Sequence, residues 1–148
     1  MIEADAILVP TRFVVDQLLG QADRLPRYAY EKGLMVAEAQ ANAMKLAIAK
    51  GVTIAMGTDI FVSGDMYGQN GYEIKLLQDA GMTALEAIEA ATANGPLTLG
   101  PQAPQSGQLV EGSDADVIAL DFDPLTDASG WGDPDRVTHV WKSGTQVK

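Results

Sequence analysis

Apolar positions along this chain change their rhythm near residue 100. Before it, short β-prone runs alternate with longer stretches at helical spacing; after it, apolar runs are brief and turn residues separate them. Residues 6–9 form an apolar run stopped by Pro10, which predicts a buried strand ending before a residue that cannot donate to a ladder. Residues 13–19, with Phe13, Val14, Gln17 and Leu18 at helical spacing, predict a helix that Gly20 can cap. Residues 21–32 are polar and mixed and carry Pro26, so they predict a loop with one helical turn in it, the Tyr28 and Tyr30 rings covering a core edge. Residues 34–50 are the longest helical pattern, rich in Ala, Met, Leu, Glu and Lys, and Lys50 and Gly51 end it as a basic last turn and C-cap should. The β-prone run 52–56 follows at once. Helix, glycine turn and buried strand make the αβ half of a βαβ unit, which implies a parallel sheet covered on both faces.

A Gly-rich connection, residues 60–71, then leads to a predicted helix over 72–80 that Gly81 closes. Thr83 to Glu86 has the form of a capping box and opens a helix through residue 93, with Leu85, Ile88 and residues 91–92 as its core face. Asn94-Gly95-Pro96 stops it, and residues 97–100 make a last short turn. Residues 101–106, rich in Pro and Gln, read as a linker. Beyond them, runs at 107–110, 115–120, 137–142 and 145–148 predict short antiparallel strands, with tight turns at 111–114 and 142–145. A unit of about 40 residues is smaller than those that usually stand alone, so it should pack on something larger. The expected organisation is therefore residues 1–100 as one α/β segment and residues 101–148 as a small β unit.

Composition narrows the function more than the fold. The 148 residues, 47% of them apolar, make about one domain with a real core. Ten Lys and Arg against 20 Asp and Glu give a net charge of -10, which argues against nucleic acid and anionic membranes as partners. No window has the apolar length of a membrane span, and the first ten residues lack the layout of a signal peptide, so a cytoplasmic location is the default. The chain has no cysteine and one histidine, His139. Thiolate chemistry, Cys-based zinc sites and multi-histidine cages cannot be built from it.

Against that scarcity, the first candidate for chemistry is Asp59, a carboxylate where the 52–56 strand emerges into a loop. Loops at the carboxyl ends of parallel strands are where such folds do chemistry. The competing reading is a turn or helix-capping aspartate. Asp65 and Glu73 read as solvated loop and helix-start charges, Glu73 complementing the dipole of its helix. The glycines at 64, 68 and 71 do not match phosphate-cradling motifs, because no Gly-Lys-Ser/Thr follows.

Five segments in order, GVTIAMGTD, GQNGYE, AGMTALEAIEAATANGPLTLG, GQLVEGSDADVIALDFDPL and VTHVWKSGTQV, resemble the carboxyl-terminal part of the metal-dependent amidohydrolase superfamily. The likeness is to the imidazolonepropionase and Xaa-Pro dipeptidase-like group. It implies an α/β fold: the carboxyl-terminal portion of a (β/α)8 barrel, with 7–9 and 52–56 as its last two strands and two terminal helices, and 107–148 as closing strands of a small β-sandwich. It also implies that Asp59 ligates the catalytic metal and takes a proton from the water that attacks an amide carbonyl. Ser63, Tyr67, Gly68 and Asn70 become candidates for the substrate rim. Many relatives carry a histidine where Tyr67 stands, so contacts inferred from that histidine do not carry over. The family's His-x-His, its bridging Lys or Glu and its mid-barrel histidines have no counterpart here, and His139 reads as a surface or packing residue.

The expectation is thus a carboxyl-terminal fragment of an enzyme that hydrolyses C–N bonds of small amides, cyclic amides or dipeptides. The resemblance implies a divalent metal, zinc first among the candidates, in the intact enzyme and none in the isolated chain. Unpaired strand edges predict a homo-oligomer or a partner supplying the missing amino-terminal part. Two rivals stand beside this: a non-catalytic interaction module, and an autonomous hydrolase using Asp59 with Asp65, Glu73 or the acidic residues of 113–116.

Overall fold

The computed structural model describes residues 1–60 and 66–148. The two runs expected as barrel strands meet in parallel through a single bridge, Leu8 with Ile54. The Leu8 N–H donates to the Thr53 carbonyl at 2.9 Å and the Ala55 N–H to the Leu8 carbonyl at 3.0 Å. Among the described residues neither run extends into a ladder. On its other side, residues 52–56 meet a helix end where a next strand would lie: the Met56 N–H donates to the Ala90 carbonyl at 2.8 Å, and the Asn94 amide donates to the Ile54 carbonyl at 2.9 Å. Those bonds satisfy groups that a neighbouring strand would otherwise pair.

Two helices connect the bridge partners. The first, α1, spans Arg12–Gly20; after a short 3-10 turn, Ala22–Arg24, the long α2 spans Arg27–Ala49. The expected loop over 21–32 is therefore corrected. Pro26 is the N-cap of α2 rather than a breaker inside a loop, and an Arg27–Glu31 ion pair of 2.8 Å supports the first turn. Tyr28 is 71% exposed and covers no core edge. The other end of α2 follows the sequence closely. Gly51 has φ 72, its N–H bonds the Ile48 carbonyl, and the Val52 N–H returns to Ala47, the paired bonds of a Schellman motif.

Helix α3 spans Tyr72–Asp79 and α4 spans Ala84–Ala91. Between them Gly81, with φ 116, repeats the same closing motif through Gly81 N–H to Gln78 and Met82 N–H to Leu77. The Thr83–Glu86 capping box is formed in both directions. α4 stops two residues short of expectation; its buried residues are Ala87 and Ala90, Ile88 and Ala91 pack partly buried against the core as expected, and Leu85 is 67% exposed. Alanines there let α4 lie close against Ile54, Ile74 and Leu77, which with Met44, Ala47 and Trp131 make the main core. A 3-10 turn, Pro96–Gln102, runs into the stretch expected as linker.

The last third builds a three-stranded antiparallel sheet: β1 Val117–Leu120, β2 Val137–Lys142 and β3 Thr145–Gln146, in that order. Ser143 and Gly144 both have positive φ, as a two-residue type I′ hairpin requires. Residues 107–110 are not a strand; among the described residues they join no ladder. This part reaches into the main core through Trp131, whose ring stands edge-on to Phe122 at 5.2 Å. A Cβ on Gly71 would meet the Trp131 carbonyl at 2.7 Å, so the start of α3 and the turn around Trp131 approach as only glycine allows. No described helix is long and apolar enough to cross a membrane.

Candidate functional site

The parallel bridge sets the direction of both runs, so residues 9–11 and 57–59 leave it at the same end. Glycine at 57 makes this end tight. A Cβ there would lie 2.5 Å from Val9 Cγ1 and 3.6 Å from Thr11 Cγ2, so Gly57 lets the two segments touch. Just beyond, Thr11 (φ 48) and Asp59 (φ 53) both take the left-handed conformation. That conformation is uncommon outside glycine, and for a β-branched residue such as Thr11 it is an outlier of the kind found at functional strand ends. Asp59 is exposed, with no hydrogen bond or ion pair among the described residues, and its side chain caps no helix there. Of the competing reading, turn or helix cap, the left-handed conformation fits a turn aspartate, and no helix cap is formed among the described residues.

Behind the strand end lies a second carboxylate, which the sequence placed in solvent. Glu73, in the first turn of α3, is 0% exposed. Its Oε1 accepts from the Arg12 N–H at 2.9 Å and its Oε2 from the Phe13 N–H at 2.6 Å, so it caps α1 from another element. Burial pushes the Glu73 carboxyl above its ordinary value; the two N–H bonds and the Arg12 charge oppose that shift without cancelling it. From the α2 side, the Gln40 amide donates to the Pro10 carbonyl at 2.6 Å and the Arg12 guanidinium to the Ala37 carbonyl at 2.9 Å. The expectation of a solvated Glu73 is corrected, and its oxygens are committed to the backbone. Asp116, one of the acidic residues of 113–116 proposed to work with Asp59, is held by Lys142 Nζ and the Ser143 N–H. The Lys142 contact draws its carboxyl below the usual range.

The candidate rim residues Tyr67, Gly68 and Asn70 fall in a turn leading into α3. Tyr67 is 65% exposed, Gly68 is exposed with φ 89 and lies near Pro134, and the exposed Asn70 accepts the Glu73 N–H at 3.1 Å on its carbonyl. No hydrogen bond joins them to Asp59 among the described residues. Ser63 and Asp65 lie outside the described residues. His139 sits on β2, exposed and stacked on Trp141 at 5.4 Å, where it accompanies no acidic cluster.

A metal site needs about three protein donors. Among the described residues no group of three or more His, Cys, Asp or Glu side chains comes together; Asp59 is the donor they place at this strand end, and they do not fit a metal on their own. The sequence reading missed Glu73, Gln40 and Asn94 as the groups that hold the strand ends. One signal was available: Glu73, Leu76, Leu77 and Ala80 stand at i, i+3, i+4 and i+7, which puts the glutamate on the apolar face of its helix.

Known proteins agree on what kind of fold carries this strand end. Ochratoxinase from Aspergillus niger is 43% identical over 149 residues, covering 100% of this chain and 30% of the relative. Its crystal structure superposes with a TM-score of 0.79 at 45% identity over 96% of this chain and 32% of that one. A Xaa-Pro dipeptidase with bound methionine superposes with a TM-score of 0.83 at 28% identity, covering 100% of this chain and 36% of the other. A prolidase complexed with N-methylphosphonate-L-proline does so with a TM-score of 0.84, again at 28% identity and 36% of its length. The chain thus spans 30% of the length of the curated relatives it matches and corresponds to the carboxyl-terminal α/β part of such chains, helices with a small antiparallel sheet. With a family model matching residues 2–147, nearly end to end, the chain belongs to the amidohydrolase family.

Proposed function

We propose that this chain is the carboxyl-terminal part of a metal-dependent amidohydrolase that cleaves the C–N bond of an amide, a cyclic amide or a Xaa-Pro-like dipeptide. The observation that carries the reading is Asp59: an exposed carboxylate in a left-handed turn, beyond the strand that Gly57 packs against its parallel neighbour. The family is generally metal-dependent. In this reading a divalent metal, zinc for preference, takes Asp59 as one ligand and the rest from residues outside this chain. When bound it would polarise the amide carbonyl and acidify water. Asp59 would accept the proton of the attacking water, a task open to an exposed carboxylate without a partner among the described residues. Ser63, Tyr67, Gly68 and Asn70 would form the substrate rim, and residues 1–100 and 101–148 would be the barrel segment and the closing strands of a β-sandwich.

The reading needs a partner for the apolar residues left in solvent. Leu34, Met35, Val36 and Leu46 of α2 are all exposed, and association with another copy or with the amino-terminal part of the enzyme would cover them. The same residues favour the interaction-module reading, which predicts a defined oligomer without hydrolysis.

Replacing the matching third of A. niger ochratoxinase with these 148 residues separates the two. The hybrid should hydrolyse amide or Xaa-Pro substrates, and Asp59→Asn should lower the rate by at least about a hundredfold, the scale of a lost proton acceptor. A folded hybrid that is inactive with Asp59 intact, or that keeps its rate in Asp59→Asn, contradicts the proposal.

A further inference from the structure

Helix α1 lacks a cap of its own. A threonine before a helix usually takes extended backbone and accepts an N–H on its hydroxyl. Thr11 instead is left-handed and its side chain caps nothing. The missing acceptors come from Glu73, 61 and 60 residues away, which takes one N–H on each oxygen. A carboxylate in this place also complements the positive end of α1.

Burying a carboxylate is unfavourable unless its geometry is needed. Among the described residues Glu73 forms no salt bridge; the nearby Arg12 guanidinium is turned to the Ala37 carbonyl on α2. What Glu73 accomplishes is the fixing of residues 11–13. Two of them, Thr11 and Phe13, meet the segment that carries Asp59. Thr11 Cγ2 lies against Gly57, and Phe13, 0% exposed, packs in one cluster with Met66, Leu76, Tyr72 and Ile60, the residue directly after Asp59. Glu73 also bonds through its own N–H to Asn70. Glu73 therefore ties residues 12–13 to the turn before α3, through its side chain and its own N–H, and reaches 57–60 through Thr11 and Phe13.

We propose that Glu73 is a positioning residue, which clamps the amino terminus of α1 so that Thr11 stays left-handed against Gly57 and Phe13 holds Ile60, fixing the backbone on both sides of Asp59. Its relevance to catalysis rests on the reading of Asp59 above, but the clamp is tested without activity and stands or falls apart from it.

The test is nuclear magnetic resonance on the full 148-residue chain, comparing it with Glu73→Gln and Glu73→Ala. In the unsubstituted chain the Arg12 and Phe13 amides should exchange slowly, and Thr11 and Asp59 should show the strong intraresidue amide-to-Hα contact of positive φ. Glu73→Ala should speed exchange at both amides by about tenfold or more, while Leu77 and Met44 stay protected. Thr11 should leave the left-handed region, and the Gly57 to Ile60 resonances should shift with it. Glu73→Gln, which keeps one acceptor, should give the same changes at smaller size, and it decides the matter if Glu73→Ala does not fold. Fast exchange of the Arg12 and Phe13 amides in the unsubstituted chain overturns the proposal. So does a variant in which both amides are deprotected but the Gly57 to Ile60 resonances stay in place, since Glu73 would then be a helix cap and nothing more.

Discussion

The two β regions of this molecule contrast in how they are held. β1 to β3 form an antiparallel sheet whose β2–β3 hairpin needs only two positive-φ residues, Ser143 and Gly144, to close. The parallel pair at residues 6–9 and 52–56 shares one bridge and is held from outside: by the Ala90 carbonyl, the Asn94 amide, Gln40 on the Pro10 carbonyl, and Glu73 at the turn into α1. The difference follows from topology. Antiparallel neighbours can be joined by a short turn, whereas parallel neighbours need a long crossover and gain their ladders from the whole sheet. A pair seen without further strands keeps its geometry through side chains and close contacts.

The sharpest way to break this contrast is Trp131→Ala, because Trp131 is the buried residue by which the last third enters the main core. The loss should be about 3–5 kcal/mol. Urea unfolding followed by circular dichroism and by the remaining tryptophan, Trp141, should still give coincident transitions if the sheet depends on that core. Separated transitions would make the sheet independent.

Gly57→Ala attacks the parallel pair alone. A Cβ 2.5 Å from Val9 must displace it, at a cost of about 1–3 kcal/mol in thermal or urea unfolding. Gly144→Ala is its counterpart in the sheet. There is room for a methyl, and only the φ of 77 opposes it, so about 1 kcal/mol is expected. The reverse order of the two would show that the hairpin, not the parallel pair, is the constrained element.

Two carboxylates should give the regions opposite pH responses. Glu73 has its folded value raised above 4.5, chiefly by burial, so its contribution is complete below 4.5 and is lost as pH rises through the raised value. Asp127 is drawn down from 3.8 to about 2, first by the Ser129 hydroxyl and then by Arg136. Its contribution is present above 3.8 and lost as pH falls towards 2. Glu73→Gln should remove the first dependence and leave the second, as read by melting temperature across pH. The smallest effect expected is Thr83→Ala, about 1 kcal/mol from the capping box of α4, with no change at either β region.

What the sequence made legible was local. Gly51 and Gly81 as helix stops, the Thr83–Glu86 box, the bounds of β2 and its I′ turn each depend on residues within a few positions of one another. The start of α2 was obscured because Pro26 breaks a helix from inside but is tolerated at its edge. Leu85 seemed a core residue by type, yet the close approach of α4 selected Ala87 and Ala90. At the candidate site, Asp59 could be singled out from its place after an apolar run, while its supports could not. Glu73 acts on residues 60 positions away and Asn94 on a carbonyl 40 positions away, separations over which no local pattern carries information.

The measurement that tests the account most directly is metal content per chain, by elemental mass spectrometry, of the purified 148-residue protein and of Asp59→Asn after removal of loosely held ions. One donor at the strand end among the described residues predicts no stoichiometric zinc, manganese or iron in either protein. A tightly held metal at one per chain that disappears in Asp59→Asn would contradict the account, because this chain would then complete a site around Asp59 without residues from outside it.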